Sequence, residues 1–410
     1  MAADMAAGVA GKKALIIGAG IGGLTAAVAL RRIGMDVEIY ERAGELKPAG
    51  FGISVGANAI RALATLGLDL DLEQRGQVVT QMKFTTPTGR RLFELPHARV
   101  DREAGAPSIC LYRGDLQQAL REAAGDCPIT LGATALHYET SADGVRVHFA
   151  DGTEAHGDVL IGADGIHSVI RGQVAGTGPT APRYGGFLCW LAITEFAHPT
   201  FPAGFSGHYW GAGRRFGLHD VGHGRFYWWG SLNVPEHAAR DYTADKTEIL
   251  RTYAGWAQEV TAAVRATPQS AIMAVPCQDR PFLEQWGDGR VTLLGDAAHP
   301  MLPSLAQGGS SSIEDAVVLA GRLNAADKLG GVTAALRSYE DLRRERTREM
   351  VEVSRSLAGL EQLQHPIPRL LRNTAARLMP SAVLAGLLRK TLIYPGADQP
   401  VLVPTLGGHS

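Results

Sequence analysis

Three glycines and one acid near the start of the chain have the spacing of a nucleotide-binding turn. Gly18, Gly20 and Gly23 form a G-x-G-x-x-G pattern, and Glu41 follows 23 residues after the first of them. The first glycine permits a tight turn, the second lets the backbone approach a pyrophosphate, and the third lets a helix pack close to a strand. A carboxylate at Glu41 accepts hydrogen bonds from an adenosine ribose and repels a 2′-phosphate. The pattern therefore predicts FAD or NAD at this turn, and not NADP.

The residues around the glycines supply the elements that such a turn needs. Ala14–Ile17 is a short apolar run that predicts a buried strand, and Leu24–Ile33 is rich in Ala and Leu and predicts a helix. Val37–Tyr40 predicts the next strand, and Glu41 ends it. The three elements together make one βαβ unit, whose helix begins where phosphates meet free backbone N–H groups.

Two later segments repeat the pattern of an apolar strand followed by an acid. One strand ends at Asp164 and another at Asp296, each beside a glycine. In a parallel sheet such positions lie at the carboxyl edge, where ligands bind. A Gly-Gly turn at Gly308 and Gly309 leads through Ser310 into a predicted helix, whose N-terminus stabilises negative charge.

A segment dense in aromatic residues predicts a sheet that faces a substrate. Residues 184–234 hold four of the six tryptophans of the chain and short alternating runs. An arginine fork at Arg215 suits a carboxylate or a polarised carbonyl, and His219 is a candidate acid or base, although a lone histidine is more often structural. The remaining candidates for this pocket are Tyr227, Trp190 and Trp229.

Composition excludes several other classes of protein. The 410 residues carry a net charge of −1 and show no basic stripe, so we expect no nucleic-acid partner. The four cysteines lack metal-ligand spacing, so no metal site is expected, and reduced thiols fit a cytoplasmic enzyme. The N-terminus lacks the pattern of a signal peptide, and no apolar run is long enough to span a membrane.

The C-terminal stretch 366–394 alternates apolar residues with five basic ones. A basic amphipathic helix of this kind can lie on a membrane surface. We favour the alternative of a helix packed on the domain with its polar face in solvent, since Pro380 interrupts the stretch and surface helices are commonly amphipathic. Stable membrane insertion is not expected, and the chain is predicted to be a monomer or homodimer.

Taken in order, these motifs resemble those of the FAD-dependent aromatic hydroxylases, the class A flavoprotein monooxygenases typified by 4-hydroxybenzoate, salicylate and urate hydroxylases. The resemblance runs from Lys13 to about Ser356. It implies that the following residues bind FAD: Gly18, Ala19, Gly20, Gly23, Glu41, Arg42, Ser54, Arg113, Asp164, Asp296, Pro303, Gly308, Gly309 and Ser310. It also implies that Pro303 and Ser304 border the substrate pocket, and that Arg215 and Tyr227 face the substrate as in the urate branch.

The resemblance implies a mechanism as well. NADPH or NADH reduces FAD, O₂ adds to give a flavin C4a-hydroperoxide, and one oxygen atom passes to a small, electron-rich substrate. Three positions depart from the family pattern. Ala306 replaces a glycine of the Pro-x-x-Gly-Gln-Gly stretch, Ser304 stands where the urate branch has an acid, and Ser310 stands where many members have Asn.

The fold class predicted is α/β, with a Rossmann-like FAD-binding domain, an inserted mixed β-sheet substrate domain and C-terminal helices. The predicted FAD-binding domain comprises 1–75, 107–178 and 276–335. The substrate domain comprises 76–106 and 179–275, and the helical region 336–400. Two alternatives stay open: an epoxidase or reductase acting on a lipophilic terpenoid or polyketide, and a non-enzymatic flavin-binding redox protein.

Overall fold

The structure is a computed structural model that describes residues 8–46, 51–178 and 180–396. Three of the predicted domain limits, at residues 1, 179 and 400, lie outside these described residues. The strands are β1 Lys13–Ile17, β2 Asp36–Glu41, β3 Gly52–Val55, β4 Gly76–Val78, β5 Gln81–Thr85, β6 Arg91–Leu95, β7 Ile109–Tyr112, β8 Ile129–Leu131, β9 Ala135–Thr140, β10 Val145–Phe149, β11 Glu154–Gly157, β12 Val159–Gly162, β13 Arg183–Glu195, β14 Phe205–Trp210, β15 Arg214–Asp220, β16 Arg225–Asn233, β17 Met273–Asp279, β18 Gly287–Asp288 and β19 Val291–Leu293. The helices are α1 Ile21–Arg32, α2 Ala57–Thr65, α3 Leu72–Arg75, α4 His97–Ala104, α5 Arg113–Ala124, α6 Val169–Val174, α7 Glu236–Arg240, α8 Lys246–Thr252, α9 Gln258–Ala266, α10 Gly308–Asn324, α11 Ala326–Leu329, α12 Val332–Glu361, α13 Pro366–Leu378 and α14 Ser381–Leu392.

The nucleotide-binding half is built on a six-stranded sheet of order β18-β19-β12-β1-β2-β8. Its central strands pair in parallel. They are buried apolar runs, as a sheet covered on both faces requires. Helices α1 and α10 pack on each other beside it. The carboxyl ends of β1, β12 and β19 therefore meet at one edge, where Gly18, Asp164 and Asp296 lie.

The second half is a seven-stranded sheet of order β17-β13-β16-β15-β14-β5-β6. It is antiparallel except between β14 and β5, so it is mixed, as predicted. Side chains alternate between its two faces. One face packs on α8 and α9 to form a separate apolar core, and the other faces a large cavity. The predicted α/β fold class is confirmed, whereas the domain limits stay a prediction.

Helix α12 runs for 30 residues and packs along α10, and α13 and α14 follow it over the cavity. The expectation that the C-terminal stretch turns its polar face to solvent agrees with the exposed Arg377 and Lys390, but it is wrong for Arg372. Arg372 is buried and donates to the carbonyls of Leu360 and Glu361, while Leu370 and Leu371 are each 65% exposed. The guanidinium turns inward because the last carbonyls of α12 need donors. Among the described residues, no helix combines the length and apolar character needed to cross a bilayer.

Candidate active site

A cavity of about 1300 Å³ lies between the two sheets. Drug-sized ligands usually occupy pockets of roughly 300–1,000 Å³. This cavity is larger, and it runs from the glycine turn to the aromatic face of the seven-stranded sheet. It therefore has room for a dinucleotide cofactor and a substrate together.

The three glycines of the turn meet different surroundings. A Cβ atom on Gly23 would lie 1.9 Å from the carbonyl oxygen of Gly18, so only glycine fits at this helix–strand contact. Gly18 has φ +106°, a left-handed conformation. Gly20 has no neighbour within 4 Å of its Cβ position and lines the cavity. The turn thus leaves open the one glycine at which a pyrophosphate would approach.

Glu41 is held by the backbone on both of its oxygens. Ala19 N–H donates to Oε2 at 2.8 Å, and Ala43 N–H donates to Oε1 at 2.9 Å. The carboxylate thus ties the end of β2 to the glycine turn. Both oxygens keep further lone pairs for a ribose, as an acid at this place in a Rossmann fold requires. Arg42 is exposed and lies outside the cavity lining.

Arg113, Ser54 and Asp296 all line the cavity. The Arg113 guanidinium packs 5.5 Å from the ring centre of Phe51, and burial lowers its pKa although Asp296 faces it. Asp296 follows β19 and lines the cavity. Loss of hydration among the surrounding protein groups raises its pKa. This donor-and-acceptor pair matches what the hydroxyl groups of a flavin side chain need.

Asp164 lies at the same sheet edge but is turned toward α6. Its Oδ2 accepts from the N–H of Val169 at 2.8 Å, which caps the helix, while its buried Oδ1 has no partner. Arg171 on that helix donates to the carbonyls of Ala297 and Ala298. The motif therefore acts partly by fixing the loop that carries Asp296. Ala163 and Gly165, on either side of Asp164, line the cavity, and the contact of Asp164 itself with a cofactor stays a prediction.

Helix α10 begins at Gly308 against the cavity, and Gly308, Gly309 and Ser312 line it. A buried network of charged and polar side chains contacts α10 through Asp315. Asp315 accepts from His299 at 2.6 Å and from Arg343 at 2.7 Å. Burial alone would raise the pKa of Asp315, but the contacts with His299 and Arg343 lower it to about 2. The network fixes α10 with its positive end toward the cavity.

The loop before α10 carries the departures from the family pattern. Ala306, where the family has a glycine, adopts φ +51°. A non-glycine residue in this region is strained by about 1–2 kcal/mol. Ser310 uses its hydroxyl to accept from the N–H of Gly56 at 3.0 Å. Pro303, Ser304 and Ala306 line the cavity between the two halves.

Arg215 faces the cavity from β15, as the sequence predicts, but it is already paired. Its guanidinium donates to Glu361 at the end of α12, and both side chains are 3% exposed. It also packs 5.0 Å from the ring centre of Trp229 and 5.6 Å from that of Phe187. Burial raises the pKa of Glu361, against the effect of Arg215. The two opposite charges offset each other at the end of the cavity that the seven-stranded sheet lines, here called the substrate end.

His219 lines the cavity, but its ring nitrogens are both occupied. Trp229 Nε1–H donates to Nε2 at 2.9 Å, so Nδ1 carries the proton and donates to Ser206 Oγ at 2.8 Å. Burial lowers the pKa of His219 to about 4. The ring is therefore held neutral between two partners and orients Trp229, an arrangement that argues against the predicted role as acid or base.

Trp190 lies on the opposite face from the pocket. It is fully buried in the core against α8 and α9, 6.0 Å from the ring centre of Tyr253. Its neighbours Cys189 and Leu191 face the cavity, because side chains alternate along β13. Tyr227 and Trp229, two residues apart on β16, do line the cavity. The substrate-pocket prediction is thus wrong for Trp190.

Sequence reasoning missed Glu361 and Arg372. Each lines the cavity, and each comes from the helical region that was assigned no part in the site. The pairing of Arg215 with Glu361 joins residues 146 positions apart, which no local motif reveals.

A group of metal-ligand types lies apart from the cavity, on the three-stranded sheet of β9, β10 and β11. Ligand atoms of His137, Glu139 and His148 lie within 4.8 Å of one another. His148 Nδ1 is 3.0 Å from Glu154. The expectation that no metal is bound stays a prediction.

Comparison with known proteins identifies the family to which this site belongs. The family described as FAD binding domain matches residues 12–354. Aurachin C monooxygenase/isomerase of Stigmatella aurantiaca is 37% identical over 384 residues, covering 94% of this chain and 98% of the relative. An FAD-dependent urate hydroxylase of Klebsiella pneumoniae is 35% identical over 340 residues, covering 83% of this chain and 88% of the relative.

A solved structure agrees with these relatives. Klebsiella pneumoniae HpxO complexed with FAD and uric acid matches with a TM-score of 0.87 and 32% identity, covering 94% of this chain and 97% of that one. The cavity fits the cofactor of that structure, since its open Gly20, Arg113 and Asp296 are the groups a flavin dinucleotide needs. The chain therefore belongs to the FAD-binding-domain family of class A flavoprotein hydroxylases, and it is an FAD- and NAD(P)H-dependent monooxygenase.

Proposed function

We propose that this monooxygenase hydroxylates a neutral, largely apolar aromatic compound. The observation that carries the proposal is the buried Arg215–Glu361 pair at the substrate end of the cavity. An anionic substrate would meet the carboxylate of Glu361 beside Arg215. Arg372, the other cation that lines this part of the cavity, already donates to Asn373 and to the carbonyls of Leu360 and Glu361. A neutral carbonyl or hydroxyl group meets no such repulsion.

The walls of the chamber support an apolar aromatic substrate. Phe84 stacks on Phe93 with ring centres 4.4 Å apart, and Trp210 packs against both. Apolar side chains of α12 and α14 close the other side, including Val353, Leu357, Leu384 and Leu388. The relatives named for aurachin C and urate also support an aromatic substrate.

Different residues around the cavity would bind the cofactor and the substrate. When bound, FAD supplies the redox chemistry that delivers one oxygen atom of O₂. Gly20, Glu41, Arg113 and Asp296 would hold it, and the N-terminus of α10 would stabilise negative charge on its ring.

At the substrate end, Trp229 would offer a flat surface held in place by His219 and Arg215. Tyr227 lines the chamber, and burial raises the pKa of its hydroxyl, so the group remains a hydrogen-bond donor. The apolar walls would exclude water, which protects the reaction from side paths.

Epoxidation of a lipophilic substrate is the second candidate. Four leucines of α14 also line the cavity (Leu384, Leu387, Leu388 and Leu392), which favours a ligand with an extended apolar part. The same oxygen-transfer chemistry serves both reactions, so product analysis separates them.

We also propose a cellular location and an assembly state. All four cysteines are free and buried, which suits the reducing conditions of the cytoplasm. A monomer or homodimer is the expected assembly. Cell fractionation and light scattering on the purified protein test these two statements.

Ligand charge tests the main proposal. Hydroxybenzamides and the matching hydroxybenzoates differ only in a neutral or an anionic group. We expect the wild-type protein to show tighter binding and faster NAD(P)H oxidation with the amides. Glu361→Gln leaves the Arg215 charge uncompensated, so it should shift the preference toward the carboxylates by about tenfold, as a charged hydrogen bond of roughly 1.5–3 kcal/mol allows.

A matched control lies on the same helix. Glu345 is exposed on α12 and outside the cavity, so Glu345→Gln should leave the preference unchanged. Flavin absorbance reports whether each variant retains its cofactor. A wild-type protein that prefers the carboxylates, with no change of preference in Glu361→Gln, would overturn the proposal.

A further inference from the structure

Helices α13 and α14, here called the C-terminal helix pair, expose an apolar surface. Seven of the thirteen exposed large apolar side chains in the described part of the chain lie in this short stretch: Ile367, Leu370, Leu371, Leu378, Met379, Val383 and Leu387. Isolated exposed apolar residues are ordinary on a soluble protein. Ile367, Leu370 and Leu371, however, lie three and four positions apart on α13, so they form one apolar patch of the kind that marks an interaction surface.

The charge of the same segment is one-sided. Residues 362–396 contain five basic residues and no Asp or Glu, although the whole chain carries −1. Arg389 and Lys390 bind Glu103 and Glu349 on neighbouring helices. Arg369 and Arg377 have no acidic partner among the described residues. Cations beside exposed leucines are the pattern of a helix that lies in an anionic membrane interface.

Charge also argues against a second copy of this chain as the partner. A symmetric contact through the helix pair would bring two acid-free segments together, and like charges across an interface repel. A membrane surface with anionic lipids matches both the cations and the leucines. Neither helix is long enough to span a bilayer, so the contact would be peripheral.

The helix pair has a second face that lines the cavity. Ala376, Leu384 and Leu388 face inward, while Met379 and Leu387 both line the cavity and are exposed. These last two lie at the rim where the cavity meets the apolar surface. An apolar compound could therefore move from a bilayer into the chamber without crossing water.

We propose that the C-terminal helix pair docks on an anionic membrane surface and brings the mouth of the cavity to the bilayer. Its exposed leucines lie in the interface and its arginines contact lipid headgroups. Membrane docking does not depend on which substrate the enzyme takes, whereas the passage of substrate from the bilayer into the cavity rests on the proposed function. Vesicle binding is measured without turnover, so failure of either proposal can be recognised separately.

Vesicle flotation with the full FAD-loaded chain tests the docking. Binding is expected to vesicles of phosphatidylglycerol and phosphatidylcholine, to weaken as salt rises, and to be absent or weak with phosphatidylcholine alone. Two variants remove the two parts of the surface: Leu370→Ser with Leu371→Ser, and Arg377→Glu. Each should lower the bound fraction by about tenfold or more, with flavin absorbance unchanged because these side chains lie outside the cavity.

Matched controls lie elsewhere on the surface. Leu342 on α12 is 53% exposed, so Leu342→Ser makes a similar change away from the helix pair. Arg121→Glu does the same for charge on α5, where Arg121 is exposed. Both controls should bind vesicles as the wild-type protein does.

Three results would overturn the proposal. One is wild-type protein that does not bind the anionic vesicles. Another is vesicle binding that the helix-pair variants keep. The third is a lipid-free dimer that Leu370→Ser with Leu371→Ser dissociates, since a second copy would then cover this surface.

Discussion

His219 affects the stability of the protein in acid more than its turnover. Its neutral ring bridges Trp229 and Ser206, and burial lowers its pKa from 6.5 to about 4. The unfolded chain binds a proton near pH 6.5 that the folded chain resists. The histidine therefore contributes stability above that pH, and the contribution is lost as the pH falls toward 4.

His219→Gln tests this assignment. The thermal midpoint of the wild-type holoenzyme should fall between pH 6.5 and 4, with this one group contributing up to about 1.4 kcal/mol per pH unit. The variant should be less stable at neutral pH and lose stability less steeply in acid. Its turnover should stay within about tenfold of wild type, whereas loss of a true acid or base costs about 10²–10⁴-fold. A loss of that larger size, with an ionisation missing from the pH profile, would restore the catalytic role.

At the scale of single residues, the sequence predicted which side chains line the cavity better than it predicted which side chains contact one another. Arg215 and Tyr227 line the cavity as expected, because the aromatic segment forms a sheet that faces it. Trp190 does not, since which face a strand residue takes depends on register, and adjacent residues point to opposite faces. Glu361 had no local signature, since its partner lies in another element.

Within the glycine turn, one glycine is required for folding and another for ligand binding. Gly23 is needed by the packing of α1 on β1, because an added Cβ would meet the Gly18 carbonyl oxygen at 1.9 Å. Gly20 has open cavity at its Cβ position. The same sequence pattern therefore combines a structural glycine with a binding glycine.

Gly20→Ala and Gly23→Ala should fail in different ways. Gly20→Ala should give folded protein that has lost much of its bound FAD, since the methyl group would fill the space for the pyrophosphate. Gly23→Ala should give unstable or insoluble protein. Circular dichroism and flavin content measured on both variants separate the two effects. Gly20→Ala protein with full FAD content would contradict the assigned approach of the cofactor.

The elements of the nucleotide-binding half were predictable because each is specified locally. An apolar run, a glycine turn and an Ala-rich stretch determine β1 and α1 without distant contacts. The C-terminal helix pair was not predictable in orientation. The inward turn of Arg372 depends on the free carbonyls at the end of α12, and this contact exists only in the folded chain.

At the scale of the whole molecule, the two sheets and the C-terminal helices enclose one cavity from three sides. The six-stranded sheet and the small β3-β7-β4 sheet present the residues predicted to hold FAD, and the seven-stranded sheet presents aromatic residues and Arg215. Helices α12, α13 and α14 form the cover that sets the polarity and access of the substrate end. Changes in this cover would alter the substrate without altering the cofactor, as fold and site chemistry commonly separate.

Isotope incorporation tests the central claim, that the molecule transfers oxygen from O₂ to an aromatic substrate. The measurement is mass spectrometry of the product formed with NAD(P)H under ¹⁸O₂, using the best neutral ligand from the amide and carboxylate series. The account predicts one ¹⁸O atom in each product molecule, and none when the label is supplied as H₂¹⁸O. Rapid NAD(P)H oxidation that yields only hydrogen peroxide and unlabelled substrate across the whole series would contradict it.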